Sequence, residues 1–89
     1  MKLSVIIPAY NEKKTIKEIL RRVRQVKLDI EKEIIVVDGA STDGTKEILE
    51  EERDNLTRIV FEEERRGKGS AVREGFKHAS GEIIIIQDA

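Results

Sequence analysis

The sequence predicts an α/β fold: a parallel four-stranded sheet with helices on both faces, in the order βαβαβαβ. Three observations carry this. Four short runs, at 3–7, 33–37, 57–61 and 83–86, are rich in Ile and Val and are followed by polar or turn-forming residues. The segments between them place apolar residues at helical spacing. Two of the runs, Ile34–Val37 and Ile83–Ile86, are apolar without alternation, as strands covered on both sides are. A chain of 89 residues holds one core and not two, so residues 1–89 are expected to form a single domain.

Each element has a local reason. The first strand runs from Leu3 to Ile7, and Pro8 ends it. Asn11 is a candidate N-cap for a helix over 12–27, in which Ile16, Ile19, Leu20, Val23 and Val26 form an apolar stripe opposite Lys, Arg and Glu. Strand two, 33–37, ends at Asp38, and Gly39-Ala40-Ser41 turns the chain. Ser41 or Thr42 then caps a helix over 45–52 that buries Ile48 and Leu49. Strand three, 57–61, is shorter and less apolar, which suits a sheet edge. The charge run Glu62–Arg66 reads as a solvated loop. Gly67-Lys68-Gly69 opens a third helix with Ala71, Val72, Gly75, Phe76 and Ala79 inward, and Gly81 stops it in the C′ position. His78, the only histidine, is expected to be exposed at the helix end, with no second histidine to complete a metal site. Ile83–Ile86 is the fourth strand.

Composition narrows the function. Basic and acidic residues nearly cancel, 17 against 18, and aromatics make up only 3%. Neither a basic field nor a set of stacking platforms for nucleic acid is present, so a nucleic-acid partner is not expected. Without cysteine there is no disulfide or thiolate metal site, which suits a cytoplasmic protein. The apolar runs are too short for a signal peptide or a membrane span.

In a parallel α/β sheet, ligands bind at the carboxyl ends of the strands, near the point where strand order reverses. Pro8-Ala9-Tyr10-Asn11-Glu12 follows the first strand, Asp38–Gly44 the second and Gln87-Asp88 the fourth. Any one carboxylate there has a plain alternative, and Asp38 alone could cap the following helix. Three acidic strand ends in one small sheet point to a site.

These segments resemble family 2 glycosyltransferases of the GT-A fold. Ser4-Val5-Ile6-Ile7-Pro8-Ala9-Tyr10-Asn11-Glu12 is similar to the opening of that family, and Val36–Thr45 to its second motif. Gly67–Phe76 and Gly81–Ala89 are similar to its third region and to the start of its metal motif. Among its members the likeness is to the polyprenyl- and dolichyl-phosphate mannose and glucose synthases. The resemblance covers essentially the whole chain, with four motifs in family order. It implies the nucleotide-binding half of a Rossmann-like GT-A fold, and an enzyme that moves a sugar from a nucleoside-diphosphate sugar to an acceptor. For the parent protein it implies a lipid-phosphate acceptor and work at the cytoplasmic face of a membrane.

The resemblance also implies residue roles. Pro8, Ala9, Tyr10 and Glu12 would line the nucleotide pocket, with Tyr10 offering a stacking face; its alternative is a packing role at the sheet rim. Asp38 would face the nucleoside, with Gly39 beside it. Lys68 would approach the diphosphate, unless it is a solvated lysine at a helix start. Asp88 would be the first acid of an Asp-X-Asp motif holding Mg²⁺ or Mn²⁺. Two departures stand out. The family commonly has two adjacent acids after the second strand, where this chain has Asp38-Gly39, and Ala40 follows where Gly is usual. The chain also ends at Ala89, before a second metal-binding acid or a catalytic base. The expectation is therefore a parent glycosyltransferase whose 89-residue piece is inactive, binds nucleotide weakly at best, and self-associates through an uncovered fourth strand. A nucleotidyltransferase that makes nucleotide sugars, a receiver-type phosphorylation module and a non-catalytic scaffold are the competing readings. The P-loop and dinucleotide fingerprints both fail on spacing.

Overall fold

The structure, a computed structural model, describes residues 1–89. Strands β1 (Lys2–Ala9), β2 (Glu31–Asp38), β3 (Arg58–Phe61) and β4 (Ile83–Ile86) alternate with helices α1 (Ile16–Gln25), α2 (Thr45–Glu51) and α3 (Lys68–His78), and a short 3₁₀ turn, Arg53–Asn55, follows α2. All pairings are parallel, and the spatial order is β3-β2-β1-β4. The expected α/β class, element order and edge position of β3 are all observed. The order reverses between β1 and β4: the chain first builds outward from β1 through β2 to β3, then returns to the other side of β1. The carboxyl ends of β1 and β4 therefore flank the switch point.

The alternation of side chains along each strand sets the two layers. On one face Leu3, Val5, Ile7, Ala9, Ile34 and Val36 pack with Ile16 and Leu20 of α1 and Leu49 of α2. On the other, Ile35 and Val37 pack with Ala71 of α3. Gly75 lets α3 lie close over β1, because a Cβ there would come within 2.4 Å of Ile6 Cγ2. No helix is long and apolar enough to cross a membrane.

Several boundaries differ from expectation. β1 continues through Pro8 to Ala9. The main chain of Ile6 faces β4, accepting from the Gln87 N–H, so the equivalent side of Pro8 lies past the end of that ladder and its missing N–H breaks no bond. α1 begins at Ile16 rather than 12 and ends at Gln25, which leaves Val26 exposed. Asn11 is not its cap but a left-handed residue, φ 51°, a conformation asparagine tolerates. Neither Ser41 nor Thr42 caps α2; the Asp43 carboxylate accepts the Thr45 N–H instead. Phe76 faces outward, and His78 is half-buried.

Gly81 is not a left-handed helix terminator. A Cβ there would stand 2.6 Å from the Lys2 carbonyl and 2.9 Å from the Ser4 amide, so glycine permits close approach to β1. All four isoleucines of β4 are exposed, at 39–47% of their surface.

Candidate functional site

The rim at the carboxyl ends is built by cross-bonding two loops. After β1, the amides of Asn11, Glu12 and Lys13 donate to Ser41 Oγ (2.9 Å), Thr45 Oγ1 (3.0 Å) and Asp43 Oδ2 (3.1 Å). In return, the Thr42 amide donates to Asn11 Oδ1 at 2.7 Å. The Ser and Asp residues of the second loop thus satisfy main-chain donors of the first, which would otherwise need water or a helix. Asp38 holds this loop from beneath: it is fully buried, and its oxygens accept from the Ser41 N–H (3.0 Å) and Oγ–H (2.6 Å). Hydrogen bonds from the Thr45 hydroxyl hold the Asp43 carboxyl below its usual range, against a smaller opposing effect of burial, and the amides of Thr45 and Lys13 add to the lowering.

Ala40 sits in the left-handed region at φ 66°. A Cβ there costs about 1 kcal/mol, which is why glycine suits the position. Ala40→Gly is expected to raise stability by about 0.5 kcal/mol, after the greater freedom of glycine in the unfolded chain is counted. Thermal unfolding, with Tm up by roughly 3 °C, checks it.

A cavity of about 340 Å³ opens at the switch point, lined by Pro8 and Ala9 at the end of β1, Tyr10 and Glu12 from the loop after it, Arg65, Lys68 and Ala71 from the β3 loop and α3, and Asp88 and Ala89 after β4. The structure thus brings together six of the residues the sequence singled out: Pro8, Ala9, Tyr10, Glu12, Lys68 and Asp88. Asp38 and Gly39 do not line it. Asp38 is buried behind the rim and engaged by Ser41, so it acts on the loop and presents no face to the cavity. Gly39 lies next to the wall, its N–H donating to the Ala9 carbonyl at 2.8 Å.

Lys68 and Asp88 form an ion pair at 2.5 Å across the cavity, both substantially exposed. Lys68 also starts α3, whose N-terminal end carries the positive pole of the helix and favours an anion. The Arg65 guanidinium stacks on Tyr10, 3.9 Å from the ring centroid. Arg65 was hidden in a charge run read as solvated loop. Its signal was position: it follows β3 at the same end of the sheet as the other site segments.

No three His, Cys, Asp or Glu side chains lie together to hold a metal unaided. A hard divalent cation can bind through one or two carboxylates with phosphate oxygens completing the shell. Asp88, an exposed carboxylate on the cavity wall held only by Lys68, fits that arrangement as one ligand.

A parallel sheet with this switch-point cavity, bounded by a Pro-Ala-Tyr-Asn-Glu loop and a strand-end aspartate, is the arrangement in which α/β domains take a ligand at the carboxyl ends of their strands. The chain belongs to glycosyl transferase family 2, whose model matches residues 4–89. It is similar to the dolichol-phosphate mannosyltransferase of Pyrococcus furiosus, 38% identical across the whole chain and 26% of that relative. Among solved structures it is similar to the mannosyltransferase PcManGT from Pyrobaculum calidifontis in complex with GDP-Man and Mn²⁺. The identity is 40% over 97% of the chain and 26% of that protein, with a TM-score of 0.86. It is also similar to S. aureus TarS 1–349 in complex with UDP-GlcNAc, at 37% identity over 99% of the chain and 26% of that protein, TM-score 0.86. The chain therefore spans about a quarter of the length of these relatives.

Proposed function

We propose that this chain forms the donor-nucleotide site of a glycosyltransferase that moves a sugar from a nucleoside-diphosphate sugar to an acceptor, a polyprenyl phosphate in the whole protein. The observation that carries the reading is the cavity between the ends of β1 and β4, which sets an aromatic ring, a lysine at a helix start and a carboxylate around one space. Tyr10 stacks the base once Arg65 moves aside. Lys68 and the α3 terminus take the diphosphate, balancing its charge. Asp88 is then released from Lys68 to serve as a ligand to Mg²⁺ or Mn²⁺. That ion, when bound, neutralises the charge that grows on the departing diphosphate. The chain's similarity to the dolichol-phosphate mannosyltransferase supports the lipid-phosphate class. The 89-residue chain by itself is proposed to bind nucleotide without transferring sugar, its cavity carboxylates Glu12 and Asp88 serving the nucleotide and the metal.

Calorimetric titration with UDP and GDP, with and without Mn²⁺, tests this. At least one is expected to bind in a Mn²⁺-dependent way. Tyr10→Ala should weaken binding about tenfold through the lost stacking, and Asp88→Asn should remove the Mn²⁺ dependence. Binding indifferent to both substitutions would sink the reading.

A further inference from the structure

One buried polar atom in the molecule has no partner. Glu62, the first residue after β3, accepts from Ser70 Oγ at 2.8 Å through Oε2, while its Oε1 is closed off from solvent and bonded to nothing. An acceptor left unmade in this way costs about 1–3 kcal/mol, more when charged. Its backbone is fixed, since the Glu62 N–H donates to the Asp38 carbonyl at 2.9 Å in continuation of the β2–β3 ladder.

Oε1 lies behind the cavity wall, and Glu62 itself borders a smaller pocket with Val60, Phe61 and Arg66. A Cβ built on Gly39 would lie 3.8 Å from Oε1, 3.6 Å from the Ala9 carbonyl and 3.1 Å from Arg65 Nη1. Ala9 and Arg65 both belong to the cavity wall. The Arg65 guanidinium, a planar group with N–H edges, spans from the Tyr10 ring to the space over Gly39. It stops short of Glu62, with which it forms neither a hydrogen bond nor an ion pair. A nucleobase is also planar, stacks on tyrosine and carries N–H edges, and it is larger. Taking the guanidinium's place on Tyr10, it would extend across Gly39 toward Oε1. Gly39 keeps that path open by having no side chain.

The geometry points to Glu62 as the residue that selects the base: its Oε1 accepts the ring N–H of a uracil or guanine stacked on Tyr10. This rests on the nucleotide site proposed above. Adenine and cytosine present a ring nitrogen acceptor at the equivalent edge, and two acceptors facing each other repel. Only one oxygen of Glu62 is free, so a single ring N–H is the matching donor.

The test is calorimetric titration of the 89-residue chain with UDP, GDP, CDP and ADP in Mn²⁺. A preference for UDP or GDP over both CDP and ADP is expected. Glu62→Met, of similar length but without acceptors, should cut affinity for the preferred nucleotide by about tenfold or more, as loss of a bond to a charged acceptor does. It should change the others by no more than about twofold. Gly39→Asp added to Glu62→Met should restore the preference, because the 39 backbone is not left-handed and only the mobile end of Arg65 needs to move. With the native chain alone, methylation of the ring nitrogen, as in 3-methyl-UDP or 1-methyl-GDP, should cost about tenfold. That arm holds even where a Glu62 variant fails to fold. Equal binding of all four nucleotides, a uniform loss in Glu62→Met, or full affinity for the methylated nucleotides would overturn the assignment while leaving the nucleotide site standing. No binding of any nucleotide would remove both.

Discussion

Glu33→Ala is expected to destabilise the chain by about 3 kcal/mol, lowering Tm by roughly 15 °C. Glu33 lies at the amino end of β2, opposite the cavity, and is 5% exposed. Its Oε2 accepts from the Ser4 hydroxyl and from the Ser80 amide (2.7 Å) and hydroxyl (3.1 Å), while Lys2 Nζ stands 3.7 Å from Oε1. Ser4 Oγ in turn accepts the Gly81 amide at 2.8 Å. One carboxylate thus ties β1, β2 and the turn into β4. Removing it strands the buried Ser4 hydroxyl and the part-buried Ser80 amide, although the Ser80 hydroxyl and Lys2, 28% exposed, can turn to water. That partial escape sets the estimate near the low end for a broken buried charge cluster.

The same residue gives the pH dependence. Burial pushes the Glu33 carboxyl up, but the hydrogen bonds from Ser4 and Ser80, with Lys2 nearby, outweigh it and leave the group below its ordinary 4.5. A carboxyl depressed in the folded state contributes stability above its unfolded value and loses it as pH falls through the folded value. Asp43 acts in the same direction. Native stability should therefore hold steady above about pH 5 and fall below 4.5, and the gap between native and Glu33→Ala should narrow over that fall. Urea denaturation across pH 3–7 measures both; a gap that stays constant with pH would contradict the assignment.

What could be read in the chain was whatever local pattern or strand-end position decides. The apolar runs and helical stripes sufficed for the element order, and the carboxyl-end rule picked out the segments that hold Tyr10, Glu12 and Asp88, while Lys68 came only from the family resemblance. What was missed depends on contacts between distant residues. Ser4 and Glu33 are polar residues within apolar strands, and nothing local tells that Ser80, 47 residues beyond Glu33, completes their network. Gly81 resembled a helix stop because glycine is common there, whereas its cause is the Lys2 carbonyl and Ser4 amide against it. Phe76 fits the apolar stripe of α3, but the second core beneath that helix is small and its inner face is filled by Ala71 and Gly75. Arg65 is exposed, as a solvated run predicts, yet it lies on the Tyr10 ring, and Glu62 is partly buried; a run of charges carries no periodic signal for either.

Asp38 separates a residue that binds from one that positions. As a direct contact to the nucleoside, Asp38 could be replaced by Asn with lost affinity and little change in fold. The structure gives a different chain of cause: Asp38 holds Ser41, Ser41 Oγ holds the Asn11 amide, and Asn11 adjoins Tyr10. Asp38→Ala should then cost about 3 kcal/mol of stability, because the buried Ser41 amide and hydroxyl lose their acceptor. Asp38→Asn should cost less but more than a surface change, since an amide cannot accept through both of its polar atoms. Ser41→Ala supplies the decisive comparison. Acting through Ser41, Asp38→Asn and Ser41→Ala should each weaken nucleotide binding by a similar factor, and the double variant by little more than either, giving a coupling energy of roughly 1 kcal/mol. Touching the ligand directly, Asp38→Asn would weaken binding while Ser41→Ala left it intact, and the two effects would add. A double-mutant cycle read in both nucleotide affinity and denaturation midpoint distinguishes them, because only the positioning route moves both readouts together.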